Sequence, residues 1–245
     1  MHNYGLIGKT LKHSFSKRFF TEKFENENID AAYELYELAD IKEFPDLIKK
    51  VELYGLNVTI PYKELVIPFM DEMDPTAQAI GAVNTIKFIR DGKECRLKGF
   101  NTDIIGFTDS LTPALKPIHK KALILGTGGA SKAVEYALNQ LGIETVFVSR
   151  TRKENILSYD DINKDVLSEH LLIVNCSPVG MFPNIENAPN IPYEFLTPQH
   201  YLFDLVYNPE NTKFCQLGRE HGCTVKNGLD MLYGQAIASW KIWNM

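Results

Sequence analysis

Apolar residues follow two kinds of spacing along this chain, and the change from one to the other falls near its middle. Over the first hundred residues helical and extended patterns take turns. Phe19, Phe20 and Phe24 recur on one side of a predicted helix over 16–28, and residues 32–38 alternate apolar and polar as a half-buried strand does. Residues 41–51 read as a helix with Pro45 either in its first turn or breaking it. Residues 56–60 are a short apolar strand stopped by Pro61. Residues 82–89 and 94–99 flank Asp91-Gly92, a strong turn dipeptide, and predict a hairpin. A helix follows over 104–111, then a loop marked by Pro113 and Pro117. From Lys121 the strands become near-continuously apolar, over 121–125, 145–149, 171–175 and 201–206, with 224–225 as a short further one. Such strands suit a parallel sheet covered on both faces. Ala133, Val134, Ala137, Leu138 and Leu141 form a helical stripe, and a last helix spans about 229–243. The pattern predicts two α/β domains with a cleft between them.

Charge and composition narrow what that cleft can hold. The 245 residues suffice for one large or two modest domains. A net charge of −5 argues against a general nucleic-acid binder, so an anionic ligand must be drawn by local positive groups. No apolar run approaches the ~20 residues that span a bilayer. The first residues show no basic segment followed by a long apolar one, so a cytoplasmic protein without a membrane partner is expected. Cys95, Cys176, Cys215 and Cys223 form no paired spacing and read as reduced thiols; the six histidines are scattered, and no metal site is predicted.

The sharpest chemical signal is Gly126-Thr127-Gly128-Gly129-Ala130-Ser131, lying between an apolar strand and the helical stripe. In that context Gly126 allows the tight turn, and Gly128 lets the backbone come close to a pyrophosphate seated on the helix N-terminus. Ser131 is small enough for close helix–strand packing. Dinucleotide folds of this Rossmann type place an acidic residue at the end of the second strand when they bind NAD. Here that strand ends Ser149-Arg150-Thr151-Arg152-Lys153, cations and hydroxyls without a carboxylate. An arginine fork suits a 2′-phosphate and its flat face can stack on adenine, which favours NADP(H).

In the first half, Ser14 and Ser16 offer two hydroxyls. Asn57 and Thr59 face the same way along a strand, and Lys63 stands just past Pro61. Asn84, Asn101 and Asp103 follow apolar or glycine-containing runs. Singly each has an ordinary explanation: Lys63 as a solvated lysine, Asp103 as a helix cap, Asn84 as a turn residue.

Together these residues resemble the shikimate dehydrogenase family over nearly the whole chain. The likeness is carried by Ser14-x-Ser16, Asn57-Val-Thr59-x-Pro61-x-Lys63, Gly81-Ala-Val-Asn84-Thr and Gly99-x-Asn101-Thr-Asp103. It continues through the glycine turn, Ser149-Arg-Thr151, Asn175-Cys-Ser-Pro-Val-Gly-Met181, Asp204-Leu-Val-Tyr207-Asn-Pro209 and Asn227-Gly-Leu-Asp-Met231-Leu-x-x-Gln235. The resemblance implies NADPH-dependent reversible reduction of 3-dehydroshikimate to shikimate, a step toward chorismate and the aromatic amino acids, by a monomer or homodimer. It implies that Ser14, Ser16 and Tyr207 hold the substrate carboxylate and that Thr59, Asn84 and Gln235 bind ring hydroxyls. Lys63 and Asp103 would form the catalytic pair, Asp103 also touching a substrate hydroxyl. Leu205, Gly228 and Met231 would line the nicotinamide side, with Gly126–Ala130 and Ser149–Arg152 on the rest of the cofactor. The implied division is a substrate domain over 1–103, completed by the helix 229–245, and a Rossmann NADP-binding domain over 104–228 with a mostly parallel sheet.

Two departures bear on that expectation. The family asparagine before Arg150 is Ser149 here. Between Arg152 and Leu171 the chain is also short, so one crossover helix is expected to be lost or reduced and the third strand to suffer with it. The rival readings are an NAD-linked quinate/shikimate dehydrogenase, a two-domain dehydrogenase of the methylenetetrahydrofolate type and a catalytically silent NADP(H) sensor. Ser16 in place of threonine and Arg150 without a nearby acid weigh against the first, the Ser14/Ser16 and Gln235 motifs against the second, and the intact Lys63/Asp103 pair against the third.

Overall fold

The computed structural model describes residues 1–245 apart from Lys12, His13 and Lys93. The chain divides into two compact units, one of residues 1–102 with 235–245 and the other of residues 103–234.

The first unit runs β1 (His2–Gly8), α1 (Phe15–Asn26), β2 (Ala31–Glu37), α2 (Phe44–Lys50), β3 (Leu53–Val58), α3 (Tyr62–Leu65), β4 (Glu72–Met73), α4 (Pro75–Ile80), β5 (Thr85–Asp91) and β6 (Glu94–Phe100). Its sheet has the order β2-β1-β3-β5-β6-β4; the β3–β5 and β5–β6 pairs are antiparallel and the remaining pairs parallel. Apolar periodicity alone does not mark β1, because glycines occupy positions 5 and 8. Both are needed: a Cβ on Gly5 would lie 2.4 Å from the Glu34 carbonyl oxygen, and one on Gly8 would lie 2.7 Å from the Thr59 methyl. Pro45 stands at the start of α2 rather than inside it, after a 3-10 turn over Ile41–Glu43, where its missing N–H loses nothing. The predicted hairpin is β5–β6, and Gly92 takes φ +61° in its turn; Lys93 beside it lies outside the described residues. Ile7, Phe44, Leu53, Leu56, Val66 and Ile86 form a fully buried core. On another face, Phe20 stacks on Tyr33 at 4.7 Å between ring centroids and lies 5.2 Å from Trp243. The Trp243 indole N–H donates to the Ile86 carbonyl at 3.0 Å and occupies the space a Cβ on Gly55 would need.

The second unit runs α5 (Asp103–Leu111), β7 (Lys121–Leu125), α6 (Gly129–Gln140), β8 (Glu144–Ser149), β9 (Ile156–Ser158), α7 (Lys164–Glu169), β10 (Leu172–Asn175), β11 (Tyr201–Asp204), α8 (Lys213–Glu220), β12 (Thr224–Lys226) and α9 (Leu229–Trp243). Its sheet is parallel throughout, in the order β12-β11-β10-β7-β8-β9. The order reverses between β7 and β10, so a crevice opens at their carboxyl ends.

The short stretch after β8 corrects one expectation. The crossover helix is absent, but the third strand survives as three residues paired with Phe147, Val148 and Ser149. Because β9 starts opposite Phe147, the loop over 150–155 has to travel back only about two residues of strand, roughly 7 Å, which needs no helix. Asn155 enters β9 at φ +58°.

The last helix is shared, where the expectation gave all of it to the first domain. Met231, in its first turns, packs with Phe107, Leu111 and Phe203 in a core of the second unit. A Cβ on Gly234 would lie 2.9 Å from the Gly106 Cα, so the helix presses closely on α5 there. From Gln235 onward the same helix belongs to the first unit.

Candidate active site

In the first unit Ser14 caps α1, its Oγ accepting the Lys17 N–H at 3.3 Å, and its hydroxyl hydrogen remains able to donate. Ser16 sits in the first turn of the same helix and is buried. Two hydroxyls at the positive end of a helix dipole favour an anion. Thr59 follows β3, with its N–H on the Ile7 carbonyl at 3.0 Å, and half-buried Lys63 lies on α3 with its backbone carbonyl accepting from Val83 at 2.7 Å. Asn84 is buried, and its Oδ1 accepts from the Thr102 N–H at 2.7 Å and from the Thr102 and Thr85 hydroxyls at 3.1 Å each. That set of donors fixes the amide so that Nδ2 is the end aimed elsewhere. Gln235 is buried on α9, and its carbonyl accepts from Ser239 Oγ at 2.9 Å.

These residues stand on a buried polar network. Asn57 Nδ2 donates to Ser239 Oγ at 2.9 Å and to Thr85 Oγ1 at 3.2 Å, and Ser239 meets Thr85 at 2.8 Å and Thr102 at 3.2 Å. Tyr33 donates to Asn57 Oδ1 at 2.8 Å. Sequence reading paired Asn57 with Thr59 by strand face but did not reach Tyr33, Thr85, Thr102 or Ser239. The available signal was Asn57 itself, an amide inside an apolar strand that must find partners on folding.

In the second unit Gly126 takes φ +109° and its N–H bonds the Val148 carbonyl at 2.8 Å; a Cβ there would lie 3.2 Å from the Ser177 nitrogen. Thr127, Gly128, Gly129 and Ala130 carry the chain into α6, with Gly128 at its N-cap and buried Ser131 donating to the Gly128 carbonyl at 2.6 Å. A Cβ on Gly128 or Gly129 would meet nothing within 4 Å. The open backbone above the helix start therefore has both the room and the N–H groups that a pyrophosphate requires.

Past β8, the Ser149 hydroxyl donates to the Thr151 carbonyl, tightening the basic turn. Arg150, Thr151 and Arg152 are exposed. Arg152 pairs with Asp161 at 3.1 Å, and Asp161 in turn accepts from the Ser158 N–H and hydroxyl at 2.7 Å each. Burial raises the Tyr159 phenol, and the Arg150 charge and the Ser177 hydroxyl offset part of that rise. The turn thus pairs one arginine with an aspartate and leaves the other exposed.

The loops after β10 and β11 are joined by Asp204. This fully buried carboxylate accepts from Asn175 Nδ2 at 2.9 Å, the Val206 N–H at 3.0 Å and Thr212 Oγ1 at 2.6 Å. Burial outweighs these three donors and pushes the carboxyl up to about 6. Asn175 Oδ1 accepts from the Ser177 N–H at 3.0 Å and its hydroxyl at 2.6 Å, which carries the network to the glycine turn. Half-buried Leu205 and Tyr207 flank Val206. The Gly228 N–H donates to the Val206 carbonyl at 3.2 Å, and a Cβ on Gly228 would lie 2.1 Å from the Leu205 oxygen. Met231 is core rather than open surface, at 8% exposure. Asp103 begins α5 and is buried. Lys63 lies in the first unit and Asp103 begins the second.

Among the described residues no group of His, Cys, Asp or Glu could hold a metal ion, and no helix is long and apolar enough to cross a membrane.

Residues 6–86 match the family model described as the shikimate dehydrogenase substrate binding domain. The chain is 37% identical to the NADP(+) shikimate dehydrogenase of Caldicellulosiruptor saccharolyticus, over 97% of this chain and 90% of that one. In structure it is similar to shikimate dehydrogenase from Aquifex aeolicus, with a TM-score of 0.87 and 33% identity over 99% of this chain and 92% of that one. It is similar too to the Thermus thermophilus enzyme in complex with NADP(H) and shikimate, with a TM-score of 0.85 and 31% identity over 99% and 93% of the two chains. With likeness of that extent along its whole length, the chain belongs to the shikimate dehydrogenase family.

Proposed function

We propose that this protein reversibly reduces 3-dehydroshikimate to shikimate with NADPH. The observation that carries the reading is the full-length likeness to NADP(+) shikimate dehydrogenases, at 37% identity over 97% of the chain. The nicotinamide supplies the hydride when bound; the protein supplies binding, alignment and a proton.

The residues divide that labour by chemistry. Ser14 and Ser16, at the N-terminus of α1, donate to the substrate carboxylate without adding a counter-charge. Tyr207 adds a phenol to the same group. Thr59, Asn84 and Gln235 discriminate the ring hydroxyls, and Asn84 can do so only as a donor because its oxygen already takes three hydrogens. Lys63 delivers the proton to the carbonyl oxygen as the alkoxide develops and removes it in the reverse direction; Asp103 holds a substrate hydroxyl and directs the lysine. The glycine turn and the start of α6 receive the pyrophosphate, and Arg150, helped by Ser149, Thr151 and Arg152, receives the 2′-phosphate. Leu205 and Gly228 wall the nicotinamide side, with Met231 packed behind.

The test is cofactor reduction with shikimate, with quinate and with no substrate, each run with NADP⁺ and NAD⁺. Turnover confined to shikimate with NADP⁺ is expected; quinate turnover with NAD⁺ at equal efficiency, or none with either acid, overturns the reading. Lys63→Ala is expected to lower kcat by about 10²-fold or more with little change in the shikimate KM. Turnover within ~10-fold of wild type removes Lys63 from proton transfer.

A further inference from the structure

Asp204 has no part in the recognition assigned above, yet it bonds both loops at the carboxyl edge of the second sheet. It ends β11 and is fully buried. Its Oδ1 accepts from Asn175 Nδ2 at 2.9 Å and from the Val206 N–H at 3.0 Å, and its Oδ2 accepts from Thr212 Oγ1 at 2.6 Å. Burial pushes this carboxyl up to about 6, so its charge at neutral pH costs the fold stability rather than adding it.

The carboxylate determines which way Asn175 points. It can only accept, so the amide must present Nδ2 to it, and Asn175 Oδ1 is left for the Ser177 N–H at 3.0 Å and the Ser177 hydroxyl at 2.6 Å. Turning the amide over would set oxygen against a carboxylate and nitrogen against an N–H. Ser177 is thereby held where its backbone nitrogen would lie 3.2 Å from a Cβ on Gly126, while the Cys176 N–H bonds the Leu125 carbonyl at 2.9 Å. The loop after β10 is the backing of the glycine turn.

The same Oδ1 orients the chain after β11. By holding the Val206 N–H it fixes a planar peptide whose oxygen is the Leu205 carbonyl. That oxygen is the atom Gly228 approaches, 2.1 Å from where a Cβ would stand, and the Gly228 N–H bonds the Val206 carbonyl at 3.2 Å. One carboxylate oxygen therefore sets both the backing of the glycine turn and the wall made by Leu205 and Gly228.

We propose that Asp204 is a positioning residue for the cofactor, fixing through Asn175 the turn that receives the pyrophosphate and through Val206 the wall beside the nicotinamide. The proposal rests on the assignment of the glycine turn, Leu205 and Gly228 to NADP(H).

The experiment measures, by titration calorimetry, the Kd of NADP⁺ and of 2′-phospho-ADP-ribose, the same cofactor without its nicotinamide, and the melting temperature of each variant. Asp204→Ala is expected to weaken NADP⁺ roughly 25-fold, the effect of two net hydrogen bonds, and 2′-phospho-ADP-ribose only about fivefold. Asn175→Ala breaks the first arm alone and is expected to weaken both about fivefold. Asp204→Asn keeps an oxygen for Asn175 and Val206 and is expected to melt lower with both Kd values within roughly twofold of wild type. Thr212→Val removes the bond that leads to neither loop and is expected to behave the same way, so lost stability and lost positioning are told apart. Unchanged NADP⁺ affinity in Asp204→Ala overturns the proposal, as does equal weakening of the two ligands by that variant or a Thr212→Val effect as large. Should Asp204→Ala not fold, unchanged affinities in Asn175→Ala, or affinities lost in Asp204→Asn, overturn it. Wild-type protein that binds no NADP⁺ overturns the cofactor assignment on which the proposal stands.

Discussion

Arg150 and Arg152 stand two positions apart on one turn, and a sequence cannot rank them. The structure does: Arg152 pairs with Asp161 at 3.1 Å, whereas Arg150 is exposed. Arg150→Ala is therefore expected to raise the NADPH KM by about tenfold or more while leaving NADH turnover as it was. Arg152→Ala is expected to do less, since a pair that exposed is weak and its loss chiefly frees Asp161. Steady-state kinetics with both cofactors decide it, and equal loss with NADH would contradict phosphate recognition by Arg150. The division between legible and hidden residues follows the same line. Gly126 was visible as a glycine between an apolar strand and a helical stripe, and Lys63 only as part of the motif Asn57-Val-Thr59-x-Pro61-x-Lys63 that carries the family likeness. Tyr33, Ser239 and Asp204 were not, because their importance lies in partners brought together across the fold, such as Asn57 and Ser239, 182 positions apart.

At the scale of elements, β7, β8, β10 and β11 of the second unit were readable because their residues are near-continuously apolar, as suits strands of a parallel sheet covered on both faces, and they pair in parallel. The elements that escaped were short or glycine-bearing: β1 with glycines at 5 and 8, and β9 with three residues. Helices α4, α7 and α8 escaped too, α4 and α7 having 6 residues each, too few for an apolar stripe to repeat. The junction of β12 with α9 shows how tightly such elements meet. Gly228 approaches the Leu205 backbone so closely that a Cβ would lie 2.1 Å from its oxygen and 2.7 Å from its carbon. Neither atom belongs to a flexible side chain, so Gly228→Ala must push the two backbone segments away from each other. We expect a loss on the order of 2 kcal/mol in denaturant unfolding, accompanied by weaker NADPH binding. Weaker binding at an unchanged unfolding midpoint would mean that Gly228 matters only as a surface beside the nicotinamide.

The whole molecule carries its acid-sensitive groups unevenly. His119 and His200 both belong to the second unit and are 3% and 2% exposed. Each Nδ1 accepts a backbone N–H, from Lys116 at 2.9 Å and Thr197 at 3.0 Å. Each Nε2 faces a carbonyl, of Gln199 at 3.1 Å and Leu167 at 3.0 Å. Only the neutral ring satisfies both ends, and burial holds both histidines below their ordinary 6.5. The unfolded chain therefore binds protons that the folded unit refuses once the pH drops under about 6.5, and each histidine removes up to about 1.4 kcal/mol per pH unit. Asp204 works the other way: raised from 3.8 to about 6, it takes up its proton in the folded state first and offsets one histidine below about pH 6. The two histidines together outweigh the one aspartate, so acidification from about pH 7.5 to 5.5 lowers the stability of the second unit. In the first unit Asp30 is held below its ordinary 3.8 and titrates outside that window. Both tryptophans of the chain, Trp240 and Trp243, lie in the first unit, so indole fluorescence reports that unit while far-ultraviolet circular dichroism reports both. On acidification across this range the dichroism midpoint should fall by several degrees and separate from the fluorescence midpoint. If the two move down together, the units unfold as one and the histidines of the second govern the whole chain; if neither moves, the neutral, buried state of His119 and His200 is wrong.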